Sequence, residues 1–513
     1  MINVLTNRIT EILLSMDKKE TSAISLRAWV DKEKKKIVFV ESDEDFIDVL
    51  FSFLTMPMGT IIRLIRKHPP SVGLGCLKNL YESVENLGVQ QFQTAVCKNM
   101  LLYPRNGSAA QCEKLKLKID DGQTLKYFLC CNKLCTLSGY KLLSPYSDAI
   151  CDCQEHINRE VHLLETKVAE LLPSCTLYDY DYNGVFVREQ TRFIISDELQ
   201  VLPSCTESRL SLLSKLVGSD WSTIEECNFA IGVDEVLTLL KFALSETPLT
   251  ETLLKNSLAN ELGKEDFHQG GYVKSRMEEP ASNVNKKIHV KLITSKSRKM
   301  VCYAEAGEDF VDLLFSFLTV PLGHVVKEMH SSISKGCINH LYNSVHKLDA
   351  EKYLKSNEHK AMLVNPKLAP GFSYENNPLG IKEDIHPPYY YAQKKNEFGD
   401  WHDLLSYDKA RLSSWIQCYS QGSTISTLTV KETTRRGFAK GPAMFTITDK
   451  LIITPISSIS CLSLLSKLDK PVADIEERVV HVGCEEALRL MVASFVSESV
   501  LTDAFLRDPN PEH

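Results

Sequence analysis

A chain of 513 residues with 43% apolar side chains has enough sequence to bury two or more hydrophobic cores. Its net charge of −7 is small for that length, which leaves no global electrostatic footprint for nucleic acid or an anionic membrane. Sixteen cysteines are too sparse for a secreted disulfide scaffold, and every apolar stretch breaks off short of the roughly 18 residues a membrane-spanning helix needs.

At the N-terminus, Met1–Met16 sets Val4, Leu5, Ile9, Ile12 and Leu13 at helical spacing, without the continuous apolar stretch or cleavage site of a secretory signal. Residues 1–22 are expected to stand outside the fold, with Met16 a plausible start and an organelle-targeting helix the alternative. Ala23–Val30 and Lys36–Ser42 then alternate in period two around the charged turn DKEKK, which predicts an antiparallel hairpin. Glu44, Asp45 and Asp48 stand at the start of the dense apolar run Phe46–Leu54. Carboxylates in a first turn complement the helix dipole, and a helix apolar almost all round is a buried one. Pro57 stops it, Gly59 is expected to let the chain turn into a second helix over Ile61–Lys67, and a third follows at Leu77–Leu87. Gly73-Leu74-Gly75 offers only half of a dinucleotide fingerprint, since Lys78 stands at the third glycine position.

A Cys-rich segment, about residues 126–162, is the one concentrated candidate for chemistry. KYFLCCNKLC and, some 15 residues later, CDCQEH bring two close pairs of soft ligands across a loop, as a tetrahedral zinc requires. The spacing selects Cys131, Cys135, Cys151 and Cys153 as a set for one structural zinc. Their x3 and x1 intervals depart from the x2 pairs of a zinc ribbon, so ordinary reduced thiols and a redox pair stay open as readings. Beyond it, Arg192–Pro203 alternates around Asp197-Glu198 as a second hairpin, LSLLSKL (Leu210–Leu216) reads as a helix, a short strand is expected near Asn228–Ile231, and a helix over Val233–Leu244. Residues 260–285, polar and poor in apolar side chains, read as a linker.

After the linker the pattern returns. EDFIDVLFSFLTMPMG (Glu44–Gly59) becomes EDFVDLLFSFLTVPLG (Glu308–Gly323), and LSLLSKL recurs letter for letter at Leu462–Leu468. A repeat of roughly 250 residues is too long for a solenoid unit and suits a whole domain. The fold class is therefore α+β, as two homologous lobes from an internal tandem duplication, each with β-hairpins and packed helices. The first unit spans residues 23–259 and the second 286–507, with a tail at 508–513. Two arrangements fit: independently folded lobes, or lobes packed face to face about a pseudo-twofold axis. Where the first unit has its cysteines the second carries YYYAQKKNEFGDW, without one. The second unit instead offers TTRRGFAKGPAMF, in which Arg435, Arg436 and Lys440 surround two glycines and could form an anion-binding loop, though not a P-loop.

The run DFxDxLFSFLTxPxG, carried by Asp45–Gly59 and Asp309–Gly323, and GFxKGPAMFxITDxLxxTPxSSISxLSLL, carried by Gly437–Leu465 and in part by Phe193–Leu213, resemble the plant proteins of unknown function grouped as the DUF674 family. The resemblance covers nearly all of the chain after Ala23 and implies a plant source and duplicated units, but no activity. No GxSxG, HExxH or kinase signature is present, so no catalytic or cofactor-binding residue is assigned. The leading expectation is a non-enzymatic interaction module, cytoplasmic or nuclear, that holds a protein partner and neither membrane nor nucleic acid. A zinc-supported nucleic-acid or regulatory binding protein is the alternative, and an enzyme with a dispersed active site the third.

Overall fold

A computed structural model describes residues 23–507 except 67–73, 120–125, 162, 165–183, 206–222, 245–246, 255–286, 330–335, 385–387, 396–400, 411, 414–415, 417–424, 432–435 and 458–471. The N-terminal extension, the linker, the C-terminal tail and both LSLLSKL segments lie outside the described residues.

Along the N-terminal half come β1 (Ile24–Asp31), β2 (Lys36–Ser42), α1 (Glu44–Ser52), α2 (Met58–Ile65), α3 (Leu77–Asn86) and α4 (Ala95–Leu102). They are followed by β3 (Tyr127–Cys130), α5 (Lys133–Leu137), β4 (Leu142–Ser144), β5 (Ala149–Ile150) and β6 (His156–Val161). The half ends with β7 (Phe193–Ser196), β8 (Val201–Pro203), β9 (Ile224–Ile231), α6 (Val233–Phe242) and α7 (Pro248–Leu253). The C-terminal half holds β10 (Ile288–Ser295), β11 (Met300–Gly307), α8 (Glu308–Ser316), α9 (Leu322–Glu328), α10 (Ile338–Lys347) and α11 (Asn357–Val364). It continues with β12 (Tyr389–Lys395), β13 (Trp401–Ser406), β14 (Ser426–Val430), β15 (Met444–Thr448), β16 (Ile453–Pro455), β17 (Ile475–Val482), α12 (Cys484–Val496) and α13 (Val500–Phe505). The protein is α+β.

Both halves build a five-stranded antiparallel sheet in the same order, β8-β7-β2-β1-β9 and β16-β15-β11-β10-β17. The alternating segments form the hairpins expected of them, and the turn around Asp197 closes without glycine because Leu199 takes a left-handed φ of 58°. The strand expected near Asn228–Ile231 extends back to Ile224 and pairs with β1 along its whole length. On α1 every side chain from Phe46 to Ser52 is buried.

Independent lobes are not what forms, because one continuous core includes Phe46, Leu50, Phe310 and Leu314 from both halves. At the centre Pro57 and Pro321 face each other in an antiparallel bridge. The amide of Met58 donates to Val320 O at 2.9 Å, that of Leu322 to Met56 O at 2.9 Å, and that of Gly59 to Leu318 O at 2.7 Å. Gly59 and Gly323 therefore serve a purpose other than turning the chain: both sit on helical backbone in the first turn of α2 and α9. A Cβ on Gly323 would lie 2.9 Å from Leu54 O and 3.0 Å from Leu363 O, so glycine is what lets the backbones approach.

Further contacts between the halves come in reciprocal pairs. Ser83 on α3 accepts from the amide of Ile453 at 3.0 Å, and Ser344 on α10 from that of Val201 at 2.9 Å. The Gln93 amide donates to Phe438 O at 2.8 Å and the Lys355 amide to Phe186 O at 3.0 Å. Each sheet's β7–β8 or β15–β16 hairpin is thus held by the helices of the other half.

The middle segments of the two halves share a third sheet, β13-β12-β14-β4-β3-β6-β5, in which β14 runs parallel to β4. Just past β6, Leu163 forms a parallel bridge to Leu405 on β13, so six strands close on themselves as a small barrel. Tyr127, Leu129, Leu143, Tyr389, Tyr391, Leu405 and Leu428 fill it. No helix among the described residues is long and apolar enough to cross a membrane.

Candidate metal centre

Strand β3 ends at Cys130. Asn132 then caps α5, its side chain accepting from the Leu134 amide at 3.1 Å, and the helix presents Cys135. From β5 the chain enters a tight turn, with the Cys151 amide donating to Glu155 O at 2.8 Å and the Gln154 amide to Cys151 O at 2.9 Å, which presents Cys151 and Cys153. The Sγ atoms of Cys130, Cys135, Cys151 and Cys153 all lie within 4.8 Å of one another. Cys130 and Cys153 are 3.5 Å apart and Cys135 and Cys151 3.4 Å. A tetrahedron with zinc–sulfur bonds of about 2.3 Å has sulfur–sulfur edges of about 3.8 Å, so these spacings suit a tetrathiolate ion site. Among the described residues this is the only group of three or more His, Cys, Asp or Glu side chains placed to share an ion.

Three of the four cysteines chosen from spacing, Cys135, Cys151 and Cys153, are therefore brought together, but the fourth is Cys130 and not Cys131. The register of β3 shifts between Leu129 and Cys130: Leu129 packs inside the barrel, Cys130 packs in the other core, and Cys131, past the end of the strand, is exposed with its Sγ 3.7 Å from Glu155 Oε2. Cys130, Cys135 and Cys151 are buried and Cys153 half-buried. Burial pushes the Cys151 thiol up to about 11 and that of Cys130 higher still, whereas a backbone hydrogen bond at Glu155 lowers Cys153. Ligation requires thiolates, so a cation here would release protons as it bound.

Arg159 links this cluster to the barrel. Its Nε donates to Cys130 O at 3.3 Å and its Nη2 to Thr136 Oγ1 at 3.2 Å, while Nη1 forms an ion pair with Asp403 on β13. Burial would raise the Asp403 carboxyl, but hydrogen bonds from Tyr391 and Gln393 and the charge of Arg159 hold it below the usual carboxylate range.

The basic glycine loop has a different occupant from the one its sequence suggests. Asp312 accepts from the amides of Phe438 at 2.8 Å and Ala439 at 2.7 Å, and Glu308 from that of Ala443 at 3.3 Å. Those amides cradle the protein's own carboxylates; Arg436 and Lys440 point outwards, and Arg435 lies outside the described residues. Gly437 has a φ of 95°, and a Cβ there would strike the Asp312 carboxylate. In the N-terminal half Asp48 likewise accepts from the amides of Val185, Phe186 (2.8 Å) and Val187 (2.9 Å). Asp48 and Asp312 are thus not first-turn caps but buried anchors. Burial raises them to about 6 and about 7, against the pull of those amides.

A cavity of about 800 Å³ lies where β2 and β8 meet α10. Along its wall Lys36 is 3.5 Å from Glu198, and His340 Nδ1 is 3.1 Å from the Glu198 carbonyl oxygen.

No curated protein matches the chain, and no solved structure does. A family model described as "Protein of unknown function (DUF674)" matches residues 20–484. That match takes in both five-stranded sheets, the shared barrel and the four cysteines, and by it the chain belongs to the DUF674 family.

Proposed function

We propose that this chain is a non-enzymatic interaction module, built by tandem duplication of one unit, whose first unit carries a single structural zinc on Cys130, Cys135, Cys151 and Cys153. The observation that carries the zinc reading is the convergence of four sulfurs from two separate chain segments at tetrahedral spacing, three of them buried. Zinc there would tie the end of β3 and α5 to the 151–155 turn, a region whose own elements are only two to six residues long. Matching strand orders and reciprocal contacts support the duplication, since an isologous interface pairs each patch with its own counterpart.

The module reading rests on exposed apolar side chains in the same stapled segment: Leu134 is 72% exposed, Tyr140 56% and Ile150 39%. A partner protein with an apolar surface of its own would cover them. Free thiols at Cys130, Cys135, Cys151 and Cys153 suit the cytosol or nucleus.

Native mass spectrometry of the reduced full-length protein tests the zinc. One zinc per chain is expected, lost in Cys135→Ser and retained in Cys131→Ser, with a cobalt-substituted form showing tetrathiolate absorption. A chain that carries no metal after purification with zinc present would refute it. For the module, Leu134→Asp with Tyr140→Asp should weaken a crosslinked partner complex while leaving metal content unchanged.

A further inference from the structure

We propose that the four-cysteine centre is a zinc–disulfide switch, in which a peroxide joins Cys130 to Cys153 and Cys135 to Cys151 and expels the metal while the segment stays clamped. The proposal rests on the zinc reading above and adds regulation to it.

The pairing follows from distance and topology. Cys130 and Cys153 stand 3.5 Å apart, Cys135 and Cys151 3.4 Å, against about 2.05 Å for a bonded pair. Each pair takes one cysteine from the β3–α5 stretch and one from the 151–155 turn, so two disulfides would join the same two segments that zinc joins. Disulfides within one segment, Cys130 with Cys135 or Cys151 with Cys153, would leave the two apart.

Access sets the order. Cys153 is the one member of the cluster that is not buried, so peroxide meets it first. Its thiolate attacks a peroxide oxygen; the O–O bond breaks, the sulfur becomes a sulfenic acid, and the departing hydroxide takes up a proton to become water. The Cys130 thiolate then attacks the sulfenic sulfur. The S–S bond forms, the S–O bond breaks, and a second hydroxide leaves and is protonated. Cys135 and Cys151 repeat the sequence with a second peroxide. In total four thiolates, two peroxides and four protons give two disulfides and four waters, and Zn²⁺ leaves without changing its oxidation state. Cys131, exposed beside the cluster, is the competing thiol, and its product would be a disulfide between chains.

The test uses the full chain with Cys131→Ser, loaded with zinc and titrated with hydrogen peroxide. A chromophoric chelator follows metal release, and non-reducing peptide mapping reads the products. One zinc released as two disulfides form, mapped as Cys130–Cys153 and Cys135–Cys151 and reversed by dithiothreitol with zinc, is the expected result, with near-ultraviolet circular dichroism retained. In Cys130→Ser, which loses a ligand from the outset, peroxide should still yield Cys135–Cys151. A zinc-loaded chain whose cysteines go to sulfinic acids or to other pairings overturns the switch and leaves the zinc reading intact. A chain with no zinc to release overturns both.

Discussion

Replacing Gly323 by alanine sets two effects of known sign against each other. On a helix, alanine is favoured over glycine by about 1 kcal/mol, so secondary structure alone predicts that Gly323→Ala stabilises the protein. The added methyl carbon, however, would lie 2.9 Å from Leu54 O and 3.0 Å from Leu363 O, well inside an ordinary carbon–oxygen contact. Both oxygens are backbone, one in the 3-10 turn Phe53–Thr55 that follows α1 and the other on α11, so no side chain can rotate away. Overpacking a well-filled core costs about 1–3 kcal/mol, and here the rigid obstacles place the cost at the upper end. A net loss of about 1–2 kcal/mol is expected. At Gly59 the nearest atoms stand at 3.0–3.1 Å and one of them belongs to the Pro104 ring, so Gly59→Ala should cost less. Equilibrium urea unfolding of the reduced protein would measure both. A Gly323→Ala protein as stable as the parent or more so would mean that propensity governs the site and that the halves do not cross so closely there.

Four further outcomes can be checked in the same way. The carboxyls of Asp48 and Asp312, raised by burial to about 6 and about 7, favour the fold when protonated. Their contribution is complete below about pH 4 and is lost as pH climbs to about 6 for Asp48 and about 7 for Asp312, on the order of 3 and 4 kcal/mol respectively by linkage, so Asp48→Asn should flatten the fall in stability between about pH 4 and 6. Gly437→Ala should destabilise by about 1 kcal/mol or more, both from its φ of 95° and because the new methyl displaces Asp312 from the Phe438 and Ala439 amides. Arg159→Met should cost about 3 kcal/mol by leaving Asp403 without its counter-charge, and Arg159→Met with Asp403→Leu should recover most of it. Ser83→Ala and Ser344→Ala should cost nearly the same, about 1–3 kcal/mol, since each orphans one buried amide of the opposite half; a large difference would refute the reciprocity.

What could be read from the chain was local. Period-two alternation around charged turns marks β1–β2 and β10–β11, and an all-round apolar run marks α1 and α8, because burial acts on neighbouring residues. What could not be read depended on partners distant in sequence. Asp48 and Asp312 look like helix caps because the amides they hold lie more than a hundred residues away. The glycines after Pro57 and Pro321 look like turn residues because the carbonyls they approach belong in part to the other half. Cys130 is the last residue of β3 and Cys131 the first beyond it, and nothing in the sequence marks where the strand ends between two adjacent cysteines. The Arg159–Asp403 ion pair carried no local signal of any kind.

The shared barrel also removes an objection to a metal in one half only. In two separate lobes, a zinc needed for folding would be expected in both, and the YYYAQKKNEFGDW segment lacks the ligands. But β3, β4 and β6 and β12, β13 and β14 form one barrel rather than two, with tyrosines of both segments meeting in its interior: Tyr127 Oη is 2.8 Å from Tyr407 Oη and 3.3 Å from Tyr389 Oη. One staple beside that barrel acts on both contributions, because Arg159 connects Cys130 and Thr136 in the first half to Asp403 in the second. Where the first segment would use a metal, the second uses a carboxylate held by Tyr391, Gln393 and that same arginine. A single ion per chain is therefore what the proposed zinc site predicts, and its removal should be felt on β12 and β13 as well as on the cysteine segment. Hydrogen exchange on the zinc-loaded and chelated protein separates the cases: faster exchange in both segments fits a shared barrel, and a change confined to residues 127–161 would return the cysteines to a purely local role.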